Sequence, residues 1–135
     1  MDYSAALVYL DEHASYEKTG RITSPSIGNI ELLLSVLGSP QNDFRVIHVT
    51  GTNGKGSTSQ IITKLLMAHG VKVGTYSSPH LEDVRERIQV DGEMISQHDF
   101  ADSVAAIANA EGIAAIRPSY FEIMTAAAFR WFSDA

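Results

Sequence analysis

The sequence predicts an α/β fold of the P-loop type, in which helices flank a parallel sheet and a short β-hairpin is added. Residues 46–58 read VIHVTGTNGKGST, so a β-branched run is followed at once by a glycine-rich loop. A helical pattern and a second short β-branched segment come next, which is the order of a βαβ unit. The two strands are therefore expected to be parallel neighbours.

The first 43 residues predict a helical lead-in to this unit. Residues 2–14 have apolar side chains at helical spacing, and residues 27–37 predict a second helix that ends before a glycine and a proline. Residues 15–25 read as the polar loop between them.

The βαβ unit is predicted over residues 44–77. Its first strand covers residues 44–50 and is expected to be buried, because it is rich in β-branched side chains. The helix covers residues 57–69, and the second strand covers residues 71–76.

A substrate loop and a hairpin are predicted over residues 78–95. The hairpin consists of Glu86–Val90 and Glu93–Ile95, joined by a tight Asp-Gly turn. Residues 96–135 predict two further helices, the second from about residue 120 to residue 132.

Composition excludes several classes of protein. The formal net charge of −6 argues against a general nucleic-acid surface, and the absence of cysteine excludes disulfides and thiolate sites. No apolar run approaches the ~18 residues that a membrane helix needs. The N-terminus lacks a basic leader, so we expect a cytoplasmic protein with no nucleic-acid or membrane partner.

The glycine-rich loop has the chemistry of a phosphate-binding site. A helix N-terminus presents unpaired N–H groups and the positive end of its dipole, and glycines let successive N–H groups turn inward around an anion. Lys55 adds a mobile charge that can follow a terminal phosphate, and Ser57 or Thr58 offers a hydroxyl to Mg²⁺. The predicted nucleotide-binding residues are Gly51, Thr52, Asn53, Gly54, Lys55, Gly56, Ser57 and Thr58.

The loop departs from the generic pattern G-x-x-x-x-G-K-[ST]. Val49 stands at the position of the first glycine, and Gly56 at that of the hydroxyl. The structural alternative is a glycine-rich turn with an exposed lysine. The preceding strand, the following helix and the Gly-Lys-Gly-Ser core favour the phosphate-binding reading.

Four motifs in a fixed order carry a resemblance to a known family. GTNGKGST resembles the ATP loop of the Mur ligase superfamily. Taken with YSSPHL (76–81), ERI (86–88) and YFEIMTAAAF (120–129), HVTGTNGKGST resembles folylpolyglutamate synthase / dihydrofolate synthase. The resemblance runs over almost the whole chain and implies that residues 1–135 are the N-terminal part of a Mur-ligase-like ATP-binding domain.

The resemblance implies an ATP-dependent amide ligase that uses Mg²⁺. The γ-phosphate of ATP goes to a carboxylate of folate or dihydropteroate, and the amino group of L-glutamate attacks the acyl phosphate. No protein nucleophile is needed. We expect the full-length protein to be a monomer. Residues 27–31 read IGNIE, with Glu31 where the family usually carries arginine, so the choice between folate and dihydropteroate stays open.

The same resemblance implies roles for individual residues. Lys55 contacts the terminal phosphate as the catalytic residue, and Ser57 binds one Mg²⁺. Ser78 binds a second metal, and Glu122 is shared between the metals. The predicted substrate-binding residues are Ile27, Gly28, Pro79 and His80.

Structural alternatives accompany several of these roles. Ser119 and Glu122 have the spacing of a capping box, so Glu122 could cap a helix, bind metal, or do both with different oxygens. Ser78 could be a turn hydroxyl before Pro79, and His80 could contact substrate or cap its loop.

The other histidines are expected to be structural. His48 lies in the first predicted strand and reads as a core histidine. His13, His69 and His98 read as surface residues.

Two other functions compete with the ligase. A small-molecule kinase would need a hydroxyl-activating base and usually an arginine-rich lid, and the sequence has no arginine-rich stretch. A non-catalytic nucleotide-binding fragment is the second alternative. Alone, the chain is expected to bind ATP–Mg²⁺ weakly, to catalyse nothing and to associate through apolar helix faces.

Overall fold

The structure is a computed structural model that describes residues 1–15, 27–51, 54–80 and 82–135. They form two compact units, a helical unit of Met1–Phe44 with Gln97–Ala135 and a loop-and-sheet unit of Arg45–Ser96. In chain order the elements are α1 (Tyr3–Asp11), α2 (Gly28–Val36), a 3-10 helix (Pro40–Asp43), α3 (Lys55–Ala68), β1 (Gly74–Tyr76), a second 3-10 helix (Val84–Arg87), β2 (Ile88–Val90), β3 (Glu93–Met94), α4 (Gln97–Ala114) and α5 (Tyr120–Asp134). The predicted polar loop lies, after Ser15, outside the described residues.

Helix α5 is the centre of the helical unit. It packs against α4, α2 and the 3-10 helix of Pro40–Asp43. Residues 123–128 of this helix are all buried, and a helix segment that is buried on every side needs other elements around it. The six consecutive residues extend over most of two turns, and Tyr120 is buried as well. The buried residues of α5 are Tyr120, Ile123, Met124, Thr125, Ala126, Ala127 and Ala128.

Helix α4 supplies a single apolar face to this core. Phe100, Val104, Ile107 and Ala110 are spaced three or four residues apart, so their side chains lie on one side of the helix. Helices α1 and α2 both pack against α4. The helical unit is therefore a layered helix packing with a closed apolar core.

The loop-and-sheet unit contains an antiparallel sheet in the order β1-β2-β3. Asp91 and Gly92 join β2 to β3 with φ angles of 51° and 81°. Two residues with positive φ are what a type I′ hairpin turn requires, and Asp-Gly is a favoured pair for it. The predicted hairpin is confirmed, although residues before Ile88 form a 3-10 helix instead of extending β2.

The predicted parallel sheet is not found in the described part of the chain. Residues 45–50 form no strand, and Val46 and Ile47 are each 63% exposed. Of the second predicted strand, residues 71–76, only Gly74–Tyr76 (β1) form a strand, and β1 pairs antiparallel with β2. A strand is stabilised by hydrogen bonds to a neighbouring strand. No described residues supply that neighbour beside residues 45–50.

Two predictions about histidines are wrong. His13 is buried, because its ring lies between α1 and a carboxylate on α4. His48 is exposed, because residues 45–50 do not form the predicted buried strand. His69 and His98 are exposed as predicted.

Among the described residues, no helix has both the length and the apolar composition needed to cross a membrane.

Candidate nucleotide-binding site

The glycine-rich loop leads directly into helix α3. Gly51 and Gly54 have φ angles of 135° and 73°, in a region of backbone space that residues with a Cβ atom rarely adopt. Gly56 lies inside the first turn of α3, with open space where a Cβ would stand. Backbone conformation therefore explains Gly51 and Gly54, whereas Gly56 leaves the helix start free of side-chain atoms. Thr52 and Asn53 lie outside the described residues.

The start of α3 presents backbone N–H groups without a side-chain cap. The N-cap residue is Gly54, which has no side chain to accept a hydrogen bond from these amides. The N–H of Thr58 donates to the carbonyl of Gly54 at 2.9 Å, so the amides of residues 55–57 precede the first such bond. The first turn contains no acidic residue. This helix end therefore favours an anionic ligand.

Three polar side chains accompany these amides. Lys55, Ser57 and Thr58 are all exposed. The ammonium group can balance the charge of a phosphate, and hydroxyl oxygens suit a hard cation such as Mg²⁺. The described residues of the loop thus fit a nucleotide phosphate with its metal.

A buried threonine attaches α3 to the sheet. The hydroxyl of Thr63 donates to the carbonyl of Ser59 at 2.8 Å. Its oxygen also lies 3.0 Å from the hydroxyl oxygen of Thr75 on β1, and Thr75 must be the donor because the Thr63 proton is already used. This contact fixes the helix that carries the loop against the strand that leads to Ser78.

Arg87 holds the loop that follows β1. The backbone N–H of Ser77 donates to the carbonyl of Arg87 at 3.0 Å, and Nε of Arg87 donates to Nδ1 of His80 at 2.9 Å. Ser78 and Pro79, joined by a cis peptide bond, lie between these two contacts. The Arg87 residue is only 2% exposed, whereas Ser78 and His80 are half-buried.

A capping box orders the 3-10 helix that carries Arg87. Oε2 of Glu86 accepts hydrogen bonds from the N–H groups of Asp83 and Glu82, at 2.9 and 3.0 Å. Asp83 in turn accepts from the N–H of Arg85 at 3.0 Å and forms an ion pair with its guanidinium at 2.9 Å. These carboxylates therefore stabilise the local backbone conformation beside Arg87.

Glu122 adopts the capping role that was one of its alternatives. The N–H of Ser119 donates to Oε1 of Glu122 at 2.9 Å, and the N–H of Glu122 donates to the Ser119 hydroxyl at 3.2 Å. Its other oxygen, Oε2, makes no hydrogen bond to any described residue. A metal-binding role for that second oxygen remains a prediction.

The predicted site residues are distributed over both units. The loop residues that are described, with Ser78, Pro79 and His80, lie in the loop-and-sheet unit. Ile27, Gly28 and Glu122 lie in the helical unit, where Ile27 is 70% exposed and Gly28 begins α2. Within the described ranges, no group of three or more His, Cys, Asp or Glu side chains could hold a metal ion.

The sequence reasoning assigned no role to Arg87. Its signals were its place in the ERI motif (86–88) and a position between two apolar residues, Val84 and Ile88, which are both buried. A charged side chain is rarely buried without a partner, so an arginine at the start of an apolar strand indicates a paired group. Which group it pairs with could not be read from the sequence.

A second polar cluster was also missed, in the helical unit. Oε1 of Glu111 accepts from the Tyr9 hydroxyl at 2.9 Å and lies 2.5 Å from Nε2 of His13, while Oε2 lies 3.6 Å from Arg117. Burial, and then the hydrogen bond to Glu111, raises the pKa of Tyr9 well above its usual range. This cluster connects α1 to α4.

Comparisons with known proteins begin with sequence. No protein-family model matches the chain. Among curated proteins, the chain is similar to the dihydrofolate synthase/folylpolyglutamate synthase of Bacillus subtilis (strain 168), with 39% identity over 114 residues. The match covers 82% of this chain and 26% of that protein. The chain therefore spans about a quarter of the length of this relative.

Solved structures show the same similarity in three dimensions. A complex of FPGS with AMPPCP and folate has a TM-score of 0.87 and 34% identity, covering 99% of this chain and 33% of the solved one. A bifunctional folylpolyglutamate synthase/dihydrofolate synthase with Mn, AMPPNP and L-glutamate bound has a TM-score of 0.86 and 30% identity, covering 100% and 31%. The structural similarity extends over 99–100% of the chain, and the sequence match to the Bacillus subtilis protein covers 82% of it.

Proposed function

This chain is a homologue of the folylpolyglutamate and dihydrofolate synthases, and on that premise we propose that it is the N-terminal part of the ATP-binding domain of such a ligase. In the complete enzyme, the γ-phosphate of ATP is transferred to a carboxylate of folate or dihydropteroate, which gives an acyl phosphate and ADP. The amino group of L-glutamate then attacks the acyl carbon, the amide bond forms, and phosphate leaves.

The start of α3 is the observation that carries this proposal. A left-handed Gly54, uncapped amides and an exposed Lys55 form a place for the phosphates of a nucleotide. Lys55 stabilises the charge that spreads over the transferred phosphoryl group, so its role is electrostatic. The bound AMPPCP and AMPPNP of the two solved relatives support a nucleotide as the ligand.

The metal-binding part of the proposal rests on oxygen donors. Ser57 would bind one Mg²⁺ and Ser78 a second, and Oε2 of Glu122 would serve both. Mg²⁺ prefers such oxygen ligands and keeps several waters. Bound Mg²⁺ would neutralise phosphate charge during transfer. The Mn of a solved relative supports a divalent cation at this kind of site.

The acceptor and the remainder of the sheet complete the proposal. Ile27, Gly28, Pro79 and His80 would contact the folate or dihydropteroate, and the folate-bound relative supports a pterin acceptor. In the complete ligase, residues 44–50 would become a strand of a parallel sheet, because their exposed β-branched side chains and free backbone groups suit pairing. The complete enzyme would be a cytoplasmic monomer.

Phosphate release by the complete ligase tests the reaction. Release should require ATP, Mg²⁺, a folate or dihydropteroate acceptor and L-glutamate together, because the acyl phosphate turns over only when the amine attacks it. Phosphate transfer to a small-molecule hydroxyl without glutamate would instead identify a kinase and contradict the proposal.

Nucleotide binding by the 135-residue chain tests the loop separately. Titration calorimetry with ATP–Mg²⁺ should show that Lys55→Ala weakens binding about tenfold, as loss of a charged hydrogen bond at an exposed site predicts. Lys64→Ala is the matched control, because Lys64 is an exposed lysine on the same helix, beyond its first turn. Equal affinities of the two variants would remove Lys55 from the site.

A further inference from the structure

Arg87, a buried residue, contacts both ends of the loop of residues 77–80, one through its backbone carbonyl and the other through its guanidinium. Its backbone carbonyl accepts from the N–H of Ser77, and its Nε donates to the ring of His80. Burial of a charged group is unfavourable unless hydrogen bonds compensate it. An arginine that is 2% exposed and bonded to this loop is therefore well placed to fix the loop's conformation.

The contact between Arg87 and His80 determines where the imidazole proton lies. A guanidinium has only donors, so Nδ1 of His80 must accept and cannot carry a hydrogen. A neutral imidazole carries its single hydrogen on the other nitrogen. His80 is consequently held as the Nε2–H tautomer.

The Nε2–H group of His80 donates no hydrogen bond to any described residue. His80 is half-buried, and its Nδ1 contact with Arg87 is its one hydrogen bond to the described residues. Ser78 lies two positions away in the same loop, which follows β1, the strand that contacts α3 through Thr63. A fixed N–H donor in this position suits an anionic oxygen of a ligand.

We infer that Arg87 is a positioning residue that orders the Ser77–His80 loop and selects the Nε2–H tautomer of His80, which donates a hydrogen bond to an oxyanion of a bound substrate. The inference deepens the proposed function and rests on it for the substrate. The shared ligand chemistry is an anionic oxygen. Its two sources are the nucleotide phosphate and the carboxylate of the acceptor.

The tautomer can be measured without any ligand. Long-range ¹H–¹⁵N correlation spectra of the 135-residue chain at neutral pH should show His80 with a protonated Nε2 and an unprotonated Nδ1. The spectrum of His80→Gln identifies the signal. A protonated Nδ1, or a rapidly exchanging mixture of tautomers in the wild-type chain, would overturn the inference.

Removal of the guanidinium tests the positioning role. Arg87→Met removes every nitrogen donor of the side chain, so the single Nε2–H tautomer of His80 should give way to a rapidly exchanging mixture of tautomers while the β-hairpin amide signals stay in place. A single Nε2–H tautomer of His80 in a folded Arg87→Met chain would contradict the role of Arg87. If the variant fails to fold, the wild-type tautomer measurement still decides whether the inference stands.

A pair of substitutions at His80 tests the oxyanion contact in the complete ligase. The amide nitrogen of Gln reaches about as far as Nε2, whereas the shorter Asn reaches only as far as Nδ1. His80→Asn should therefore lose about tenfold to a hundredfold in kcat/KM, as for a hydrogen bond to a charged group, and His80→Gln should recover part of that loss. His98→Asn, at an exposed histidine on α4, is the control.

The kinetic constants also distinguish the two sources of the oxyanion. A raised KM for ATP identifies the phosphate, and a raised KM for the acceptor identifies its carboxylate. Wild-type kcat/KM for both substrates in His80→Asn would overturn the contact. If the wild-type ligase itself shows no glutamate-dependent phosphate release, the proposed function fails, and the tautomer measurement then tests the positioning by Arg87 independently.

Discussion

The two units of the chain differ in how completely they bury their apolar residues. Fifteen of the eighteen buried apolar residues among the described positions belong to the helical unit, and three belong to the loop-and-sheet unit. The exposed apolar residues of the second unit include Val46, Ile47, Ile61 and Leu65. Because each unit exposes seven large apolar residues among the described positions, the comparison teaches that the loop-and-sheet unit, which carries the candidate nucleotide-binding residues, buries the smaller share of its apolar side chains.

Charge separates the two units in the same way. Residues 45–96 carry six Lys and Arg against five Asp and Glu, whereas the helical unit carries four against eleven. The acidic balance of the chain therefore resides in the helical unit. The unit with the candidate phosphate-binding loop is nearly neutral, which lowers the electrostatic penalty for an anionic ligand.

The largest expected effect comes from truncating a buried residue of the helical unit. Ile123→Ala removes a side chain that is 0% exposed, so it should lower the free energy of unfolding by about 2–5 kcal/mol. Ile61→Ala is the matched control, because it makes the same change on a helix at a position that is 59% exposed and should change stability by less than about 0.5 kcal/mol. Urea unfolding followed by far-UV circular dichroism measures both. Equal losses would contradict the difference between the units.

The next largest effect concerns the Tyr9–Glu111 hydrogen bond. Tyr9→Phe should lower the free energy of unfolding by about 1–2 kcal/mol at neutral pH, because Glu111 loses a donor in a partly buried place. Burial raises the pKa of Tyr9 in the folded state. The stabilisation by the Tyr9 hydroxyl is therefore fully present below about pH 10, where the tyrosine is protonated in both states. It is lost as the pH rises from there towards the raised pKa of the folded state.

The pH dependence gives the check on this assignment. The difference in stability between wild type and Tyr9→Phe should be constant from pH 7 to 9 and shrink above about pH 10, where the tyrosine of the unfolded chain ionises. A difference that grows with pH would show that the sign of the pKa shift is wrong.

The capping box of α5 predicts a smaller effect and separates two roles of Glu122. Ser119→Ala should lower the free energy of unfolding by about 1 kcal/mol, because it removes the side-chain cap. Glu122→Gln keeps an oxygen that can complete the box, so stability should change less. In the complete ligase, however, Glu122→Gln should raise the Mg²⁺ concentration needed for half-maximal activity, since an amide is a weaker metal ligand. An unchanged Mg²⁺ titration would leave Glu122 with the capping role only.

The smallest effect on stability is expected on the exposed face of α3. Leu65→Glu should change the free energy of unfolding by less than about 0.5 kcal/mol, since Leu65 is 58% exposed. It should nevertheless reduce self-association of the chain, measured by size-exclusion chromatography with light scattering, because a charge interrupts the apolar surface. If wild type and variant are monomeric at the same concentrations, this face does not drive association.

Local sequence signals predicted much of the helical unit and the hairpin. The spacing of Phe100, Val104 and Ile107 fixes the buried face of α4, because helical geometry depends only on near neighbours in the chain. Asp91-Gly92 predicts its turn because few other residue pairs accept two positive φ angles. The position of Lys55 at the start of α3 follows from the glycines before it.

Other features depend on groups that are distant in sequence. His13 is buried because Glu111, 98 positions away, lies at its ring, and residue spacing around His13 contains no sign of that carboxylate. Residues 45–50 have the composition of a strand but no neighbouring strand among the described residues. Composition expresses a preference, whereas a strand exists only when a second strand satisfies its hydrogen bonds.

By itself the sequence determined the helices, the Asp-Gly hairpin and the glycine loop with Lys55 at a helix start, because periodicity and backbone conformation are local properties. The tertiary structure decided that Arg87 is buried and bonded to His80, and that Oε1 of Glu122 caps α5. Those outcomes depend on which groups lie close enough to donate and accept once the chain has folded. Burial and hydrogen-bond partnership belong to pairs of residues, and only the folded chain brings such pairs together.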